Sequence, residues 1–222
     1  MSRYVWPRDI EAAKRIQNEL REKVRILPRQ KIPSSIAGVD AAFDGERVIA
    51  VASLFAYPSL THMTDAISIE EIRFPYIPGF LSFREGHAII SAIGKLRNKP
   101  DVIIVDGQGI AHPRRLGIAS HIGVLLDIPT IGCAKSRLVG EYAEPGPENG
   151  RWSPLIYKGE QVGAVLRTRD HVKPVFVSPG HLIDLPSSIA ILRKCLTRYR
   201  LPEPIRMADH ISKEFARNRT KG

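Results

Sequence analysis

The chain has 222 residues, 43% of them hydrophobic and 25% charged, which suits one folded domain with extensions and excludes a mainly disordered chain. Its longest apolar stretch, Val48 to Tyr57, is broken by Ser53 and too short to span a bilayer, and its start lacks the apolar core of a secretory signal. Two cysteines without a CxxC pair exclude a disulfide framework and a thiolate zinc site, while a net charge of +10 points to a polyanionic partner.

In chain order, residues 8–26 read as a helix, with Ile10, Ala13, Ile16, Leu20 and Val24 three and four apart and Asp9 placed to cap the start. Pro28 and Pro33 bound a linker. Strands are predicted over Ile36–Phe43, Arg47–Tyr57 and Thr61–Phe74, with Asp44-Gly45 and Pro58-Ser59 as the turns of a meander. Pro75-Tyr76-Ile77-Pro78-Gly79 reads as a rigid loop. A helix over 82–97, a doubly buried strand over Asp101–Asp106, a helix over 115–126 and a buried strand over Pro129–Ala134 follow. Glu144–Trp152 reads as a Pro/Gly-rich loop, Gln161–Thr168 and Pro174–Ser178 as a strand pair, and 186–199 and 204–218 as closing helices. A meander followed by alternating helices and strands predicts an α/β fold with a mixed sheet flanked by helices, and its ligands should gather at the carboxyl ends of the parallel strands.

The positive charge sits at the ends. Residues 1–32 hold 9 basic and 4 acidic groups, residues 193–222 hold 9 and 3, and residues 33–192 hold 15 and 16. Nucleic acid is the natural partner of such a surface, with a merely solubilising basic surface as the plain alternative. A membrane partner is not expected, because neither end joins its charges to a strongly apolar face. One domain is expected over 1–222, comprising a basic helix and linker over 1–32, the core, and a basic tail over 213–222 that is a candidate for disorder. The expected state is a cytoplasmic monomer.

Several acidic residues look out of place. Asp40 lies within Ile-Ala-Gly-Val-Asp-Ala-Ala-Phe, where alternation groups it with Gly38 and Ala42. Burying that carboxylate unpaired would be costly, so it is a buried ion pair, a strand-end residue or a metal ligand. Asp106 ends Val-Ile-Ile-Val-Asp-Gly-Gln-Gly, and its glycines let the backbone approach a ligand closely. Two carboxylates at neighbouring strand ends form a hard-oxygen site suited to Mg²⁺, with Mn²⁺ as a substitute. Glu85 opens a helix, where it is equally a partner of the helix dipole. Lys135, just past a strand, suits a phosphate or is one more surface lysine. His210 is a lone histidine, more often structural than functional. Tyr76, held between prolines, suits a wedge into a base stack as well as it suits core packing.

Taken together, these segments resemble the endonuclease V (deoxyinosine 3′ endonuclease) family. The matching stretches are Ala37-Gly38-Val39-Asp40, Phe74-Pro75-Tyr76-Ile77-Pro78-Gly79, Phe83-Arg84-Glu85-Gly86, Val105-Asp106-Gly107-Gln108-Gly109 and Ala111-His112-Pro113-Arg114-Arg115-Leu116-Gly117-Ile118. Ile128-Pro129-Thr130-Ile131-Gly132, Ala134-Lys135-Ser136 and Val177-Ser178-Pro179-Gly180-His181 complete the set, which spans about residues 10 to 212. The resemblance implies a ribonuclease H-like fold and cleavage 3′ to a deaminated base, chiefly deoxyinosine. It implies Asp40, Asp106 and Glu85 as metal-binding carboxylates, with Lys135 and His210 completing the catalytic set. Tyr76 falls at the wedge. Gly79, Leu81, Gly107, Gly109, His112 and Ile118 fall where the family builds its base pocket. Competing readings are the same chemistry on inosine in single-stranded RNA, a structure-selective nuclease, and a non-catalytic nucleic-acid-binding module.

Overall fold

The structure, a computed structural model, describes residues 4–29 and 31–219. The chain opens with α1 (Ile10–Arg21), whose cap is Asp9: its carboxylate accepts from the Ala12 N–H at 2.7 Å. Three antiparallel strands follow, β1 (Ser35–Asp44), β2 (Arg47–Ala56) and β3 (His62–Glu71). Then come α2 (Leu81–Gly94), β4 (Val102–Val105), α3 (Ile118–Leu126) and β5 (Thr130–Ala134). Strands β6 (Trp152–Tyr157), β7 (Glu160–Leu166) and β8 (Val175–His181) precede α4 (Leu185–Lys194) and α5 (Glu203–Arg219).

All eight strands form one sheet in the order β3-β2-β1-β4-β5-β8-β7-β6. Among the described residues, only β1-β4 and β4-β5 pair in parallel, and the rest are antiparallel. Helices cover both faces. One face packs Ala37, Val39, Ile103 and Val105 beneath Ala88, Ile89 and Ala92 of α2 and Ile118 and Ile122 of α3. The other packs Ile36, Val102 and Ile104 against Ile189 and Leu192 of α4 and Ile205 of α5. The short strand β4 is buried along its whole length, as its unbroken Val-Ile-Ile-Val requires when helices lie on both sides.

Several boundaries differ from expectation for identifiable reasons. Helix α1 stops at Arg21 instead of 26 because the following chain is drawn into tertiary pairing: Leu182 N–H bonds to Arg25 O at 2.7 Å. The first hairpin turns through Gly45 and Glu46, with Asp44 paired to Arg47. Helix α3 starts three residues late because Arg115 has φ +58 and Gly117 is extended. Strand β6 lies at the edge of what reads as a loop, and an edge strand tolerates Pro154. Strand β8 runs past Ser178 to His181, with Pro179 near a register shift. Helix α5 runs on to Arg219 and so takes in residues 213–219 of the basic tail.

The seat of α5 depends on Gly38. A Cβ at Gly38 would lie 2.1 Å from the Pro204 carbonyl carbon and 2.5 Å from the Ile205 nitrogen, so the helix backbone rests directly on β1. Gly38→Ala must push α5 off the sheet and is expected to cost about 3 kcal/mol or more, the upper range for overpacking. A urea or thermal unfolding curve beside the wild type checks this.

Candidate active site

The parallel register sets the site. Val39 pairs with Val105, the last pair of the parallel register, so the next residues, Asp40 and Asp106, emerge side by side where that pairing ends. Asp106 lies just past β4, but Asp40 lies within β1, which runs on to Asp44 beside β2, and not at a strand end. Asp106 N–H also bonds to Val39 O at 3.1 Å. Helix α5 crosses this end of the sheet and adds Asp209. One carboxylate oxygen from each of Asp40, Asp106 and Asp209 lies within 4.8 Å of the other two. Lys135, the first residue after β5, sends Nζ among them, contacting Asp106 and lying 2.6 Å from Asp209. Ser212, one turn beyond Asp209, donates its hydroxyl to Asp40 at 2.8 Å. Lys213 also grips Asp209, at 2.7 Å.

Burial and mutual repulsion shape the charges. Desolvation, then the nearby Asp106, push Asp40 up to about 7 against the opposing Ser212 bond. Glu85, at the start of the second turn of α2 and not on the first as its sequence context suggests, is 8% exposed and is pushed up to about 8 by burial, then by Asp40 and Asp106. Burial alone would lower the Lys135 ammonium, but Asp106 and Asp209 outweigh it and hold it above its ordinary value. Burial likewise opposes ionisation of Asp209, and the bonds from Lys135 and Lys213 overcome it and hold its carboxyl low. Four acidic groups thus face one ammonium at the centre. Clustered hard oxygens with this charge surplus fit a divalent cation such as Mg²⁺.

The sequence-derived set is partly regrouped. Asp40, Asp106 and Lys135 meet. Glu85 lies near them but outside the tight triad, whose third member is Asp209. His210 is not brought to them: it is exposed and faces Glu214 at 3.8 Å. Neighbouring residues on a helix point about 100° apart, so with Asp209 turned inward His210 must turn away. Asp209 and Ser212 are the residues that sequence reasoning missed. Their three-residue spacing places both on the inner face of α5, but only the packing of α5 reveals where that face looks.

A cavity of about 320 Å³ adjoins the carboxylates. Gly79, Leu81, Gly107, His112 and Ile118 line it, and Tyr76, 69% exposed, stands at its rim. Gly109 does not line it; that residue is buried behind the wall, its N–H bonded to the Ser178 hydroxyl at 2.8 Å. His112 accepts the Arg114 N–H on Nδ1 and donates from Nε2 to Gly79 O at 3.0 Å. Burial drives its pKa down to about 4, so the ring is neutral. Asp106 and Lys135 form part of the same cavity wall.

A ribonuclease H-like sheet whose parallel strand ends gather carboxylates around a lysine defines a class, that of metal-dependent nucleases. Comparison with known proteins narrows it. The chain belongs to the endonuclease V family, whose model matches residues 18–210. It is 50% identical over 214 residues to an endonuclease V of Geotalea uraniireducens, covering 96% of this chain and 92% of the relative. The crystal structure of endonuclease V from Streptomyces avermitilis superposes with a TM-score of 0.91 at 39% identity, covering 97% and 96% of the two chains. A Ciona intestinalis endonuclease V, in complex with a 24-mer DNA containing an inosine followed by a ribo-adenosine, matches with a TM-score of 0.79 at 28% identity. That match covers 94% of this chain and 98% of the other.

The raised Glu85 has a thermodynamic consequence. Its folded pKa exceeds the unfolded value, so its stabilising contribution is full below about pH 4.5 and is lost as pH rises through about 8. In chelator at pH 8.5, Glu85→Gln is expected to be more stable than the wild type, by on the order of 2 kcal/mol. The advantage should shrink at pH 5.5 or with excess Mg²⁺. Thermal melts of both proteins under the three conditions test it, and an advantage independent of pH and cation would contradict it.

Proposed function

We propose that this protein is a DNA repair endonuclease that recognises deaminated bases, chiefly deoxyinosine. It hydrolyses the second phosphodiester bond 3′ to the lesion with Mg²⁺, leaving 3′-hydroxyl and 5′-phosphate ends. One observation carries the reading: the cavity and the carboxylate cluster share Asp106 and Lys135 as a common wall. A base held in the cavity therefore brings its own backbone to the carboxylates. The similarity to a protein that binds inosine-containing DNA supports the choice of base.

The roles follow from the positions. Tyr76, exposed at the cavity rim, fills the space that an extruded base leaves in the stack. The neutral His112 and the apolar Leu81 and Ile118 form walls suited to an uncharged purine. Asp40 and Asp106, with Asp209 and Glu85 near them, would hold Mg²⁺, which supplies polarisation of the phosphate and a more acidic water. Lys135 offsets the negative charge that builds on the phosphate as water oxygen bonds to phosphorus. The P–O3′ bond then breaks, and the 3′ oxygen takes a proton. His210, turned to solvent, has no place in this scheme.

A duplex with one internal deoxyinosine, incubated with Mg²⁺ and with chelator beside a matched RNA, tests the proposal. A single metal-dependent nick at the second phosphodiester bond 3′ of the lesion in DNA is expected, and cleavage of the RNA alone would move the substrate to inosine in RNA. Asp106→Ala should lower the nicking rate at least on the order of a hundredfold while retaining most DNA binding.

A gel-shift comparison addresses the wedge. Tyr76→Ala should weaken retention on lesion DNA about tenfold, the scale of one base–aromatic stack, and weaken plain duplex less. Equal losses on both would remove Tyr76 from lesion recognition.

A further inference from the structure

The loop 75–80 carries Tyr76 and one wall of the cavity, yet its placement depends on residues far away in sequence. Its flanks are anchored by Phe74 and Phe80, which pack with Phe83 and with Ala13 and Ile16 of α1. Its tip is fixed at a single atom, the carbonyl oxygen of Gly79. Three donors converge there: Gln17 Nε2 at 2.9 Å, Arg114 Nη2 at 3.0 Å and His112 Nε2 at 3.0 Å. Arg114 Nε donates to Gln17 Oε1, which closes the ring of bonds, and the guanidinium lies 4.4 Å over the Phe80 ring. Gly79 itself has φ +81, and a Cβ there would sit 3.2 Å from Arg114 Nη2.

Gln17 is the odd member. It is fully buried on a helix whose neighbouring Lys14, Arg15 and Asn18 are exposed, and both ends of its amide are used within this network. A buried amide on a surface helix is expensive unless it is satisfied, and among the described residues this one is satisfied by the loop tip and by Arg114. A carbonyl has two lone pairs, so three donors hold its position more tightly than the turn alone demands.

We infer that Gln17 and Arg114 are positioning residues for lesion selectivity, locking the Gly79 carbonyl so that Tyr76 and the cavity wall are set before DNA arrives. On this view α1 works as the seat of the wedge loop as well as contributing positive charge. The inference rests on the proposed nuclease reading, because selectivity is measured on a deaminated base. Loosening the tip should widen the loop's range of positions, which weakens the productive complex with lesion DNA. It should spare the chemical step, since neither residue touches the carboxylates or Lys135.

The decisive variant is Gln17→Glu. It keeps the side-chain length and the acceptor for Arg114, but replaces the N–H aimed at Gly79 by a carboxylate oxygen that repels the carbonyl. The expected result on a deoxyinosine duplex is a KM about tenfold higher with kcat within about twofold of wild type. The ratio of lesion to plain-duplex retention should fall by a similar factor. Arg114→Lys, which keeps a cation but cannot bridge Gln17 and Gly79 with a planar fork, should shift KM and selectivity the same way. Melting curves run alongside report the folded fraction. Unchanged KM and selectivity in folded Gln17→Glu would overturn the inference. So would losses in both variants that follow only the folded fraction, with KM and the retention ratio of that fraction unchanged. If the wild type fails to nick the lesion duplex, the nuclease reading falls first, and the two failures are told apart.

Discussion

Carboxylates within 4.8 Å of one another repel, and the architecture at this end of the sheet is arranged to hold three of them there. Asp40 and Asp106 cannot move apart, because the parallel pairing of β1 and β4 fixes their backbones as neighbours. Asp209 cannot withdraw, because α5 rests with its backbone against Gly38 and is held at the cluster by Ser212, Lys135 and Lys213. The repulsion is absorbed by one lysine and by the raised affinities of Asp40 and Glu85 for protons. A cluster so poised gains much from a divalent cation, which is why its cost in stability and its capacity for phosphodiester chemistry are the same property.

Elements from both sides of the sheet meet at this edge. Helix α5 lies on one face and supplies Asp209 and Ser212, while α2 lies on the other and supplies Glu85 from its second turn. Strand β5 contributes Lys135 by ending where it does. The cavity occupies the next position along the same edge, between the loop before α2 and the loop before α3. Base recognition and bond cleavage are therefore mechanically adjacent. The wall residue Asp106 belongs to both, and the loop bearing Tyr76 is braced from α1 through Gln17 and from the α3 side through His112 and Arg114.

Much of the fold was legible because its signals are local. The apolar runs of the first two strands of the meander, the unbroken Val-Ile-Ile-Val of β4 and the cap at Asp9 each follow from a few adjacent residues. The elements that reasoning misjudged are those decided by distant partners. Strand β6, with Pro154 in it, is stable only because β7 lies beside it, and α1 ends early because the chain after it pairs with Leu182. Within the site, Asp40 and Asp106 stood out as charges within apolar strands. Asp209 did not, since an acidic residue in a polar helix looks ordinary, and the choice between it and His210 depends on the rotation of α5.

By itself the sequence determined most of the strands, the family resemblance and the two aspartates whose burial demanded an explanation, because periodicity and misplaced charge are written into neighbouring residues. Only the tertiary structure decided that Asp209 rather than His210 faces the carboxylates, that Gly109 stands behind the cavity, and that Gln17 reaches Gly79 across 62 positions of chain. Those outcomes depend on the rotation and seating of whole helices. That seating is set by backbone contacts such as the one between Gly38 and Pro204, which no local pattern of residues encodes.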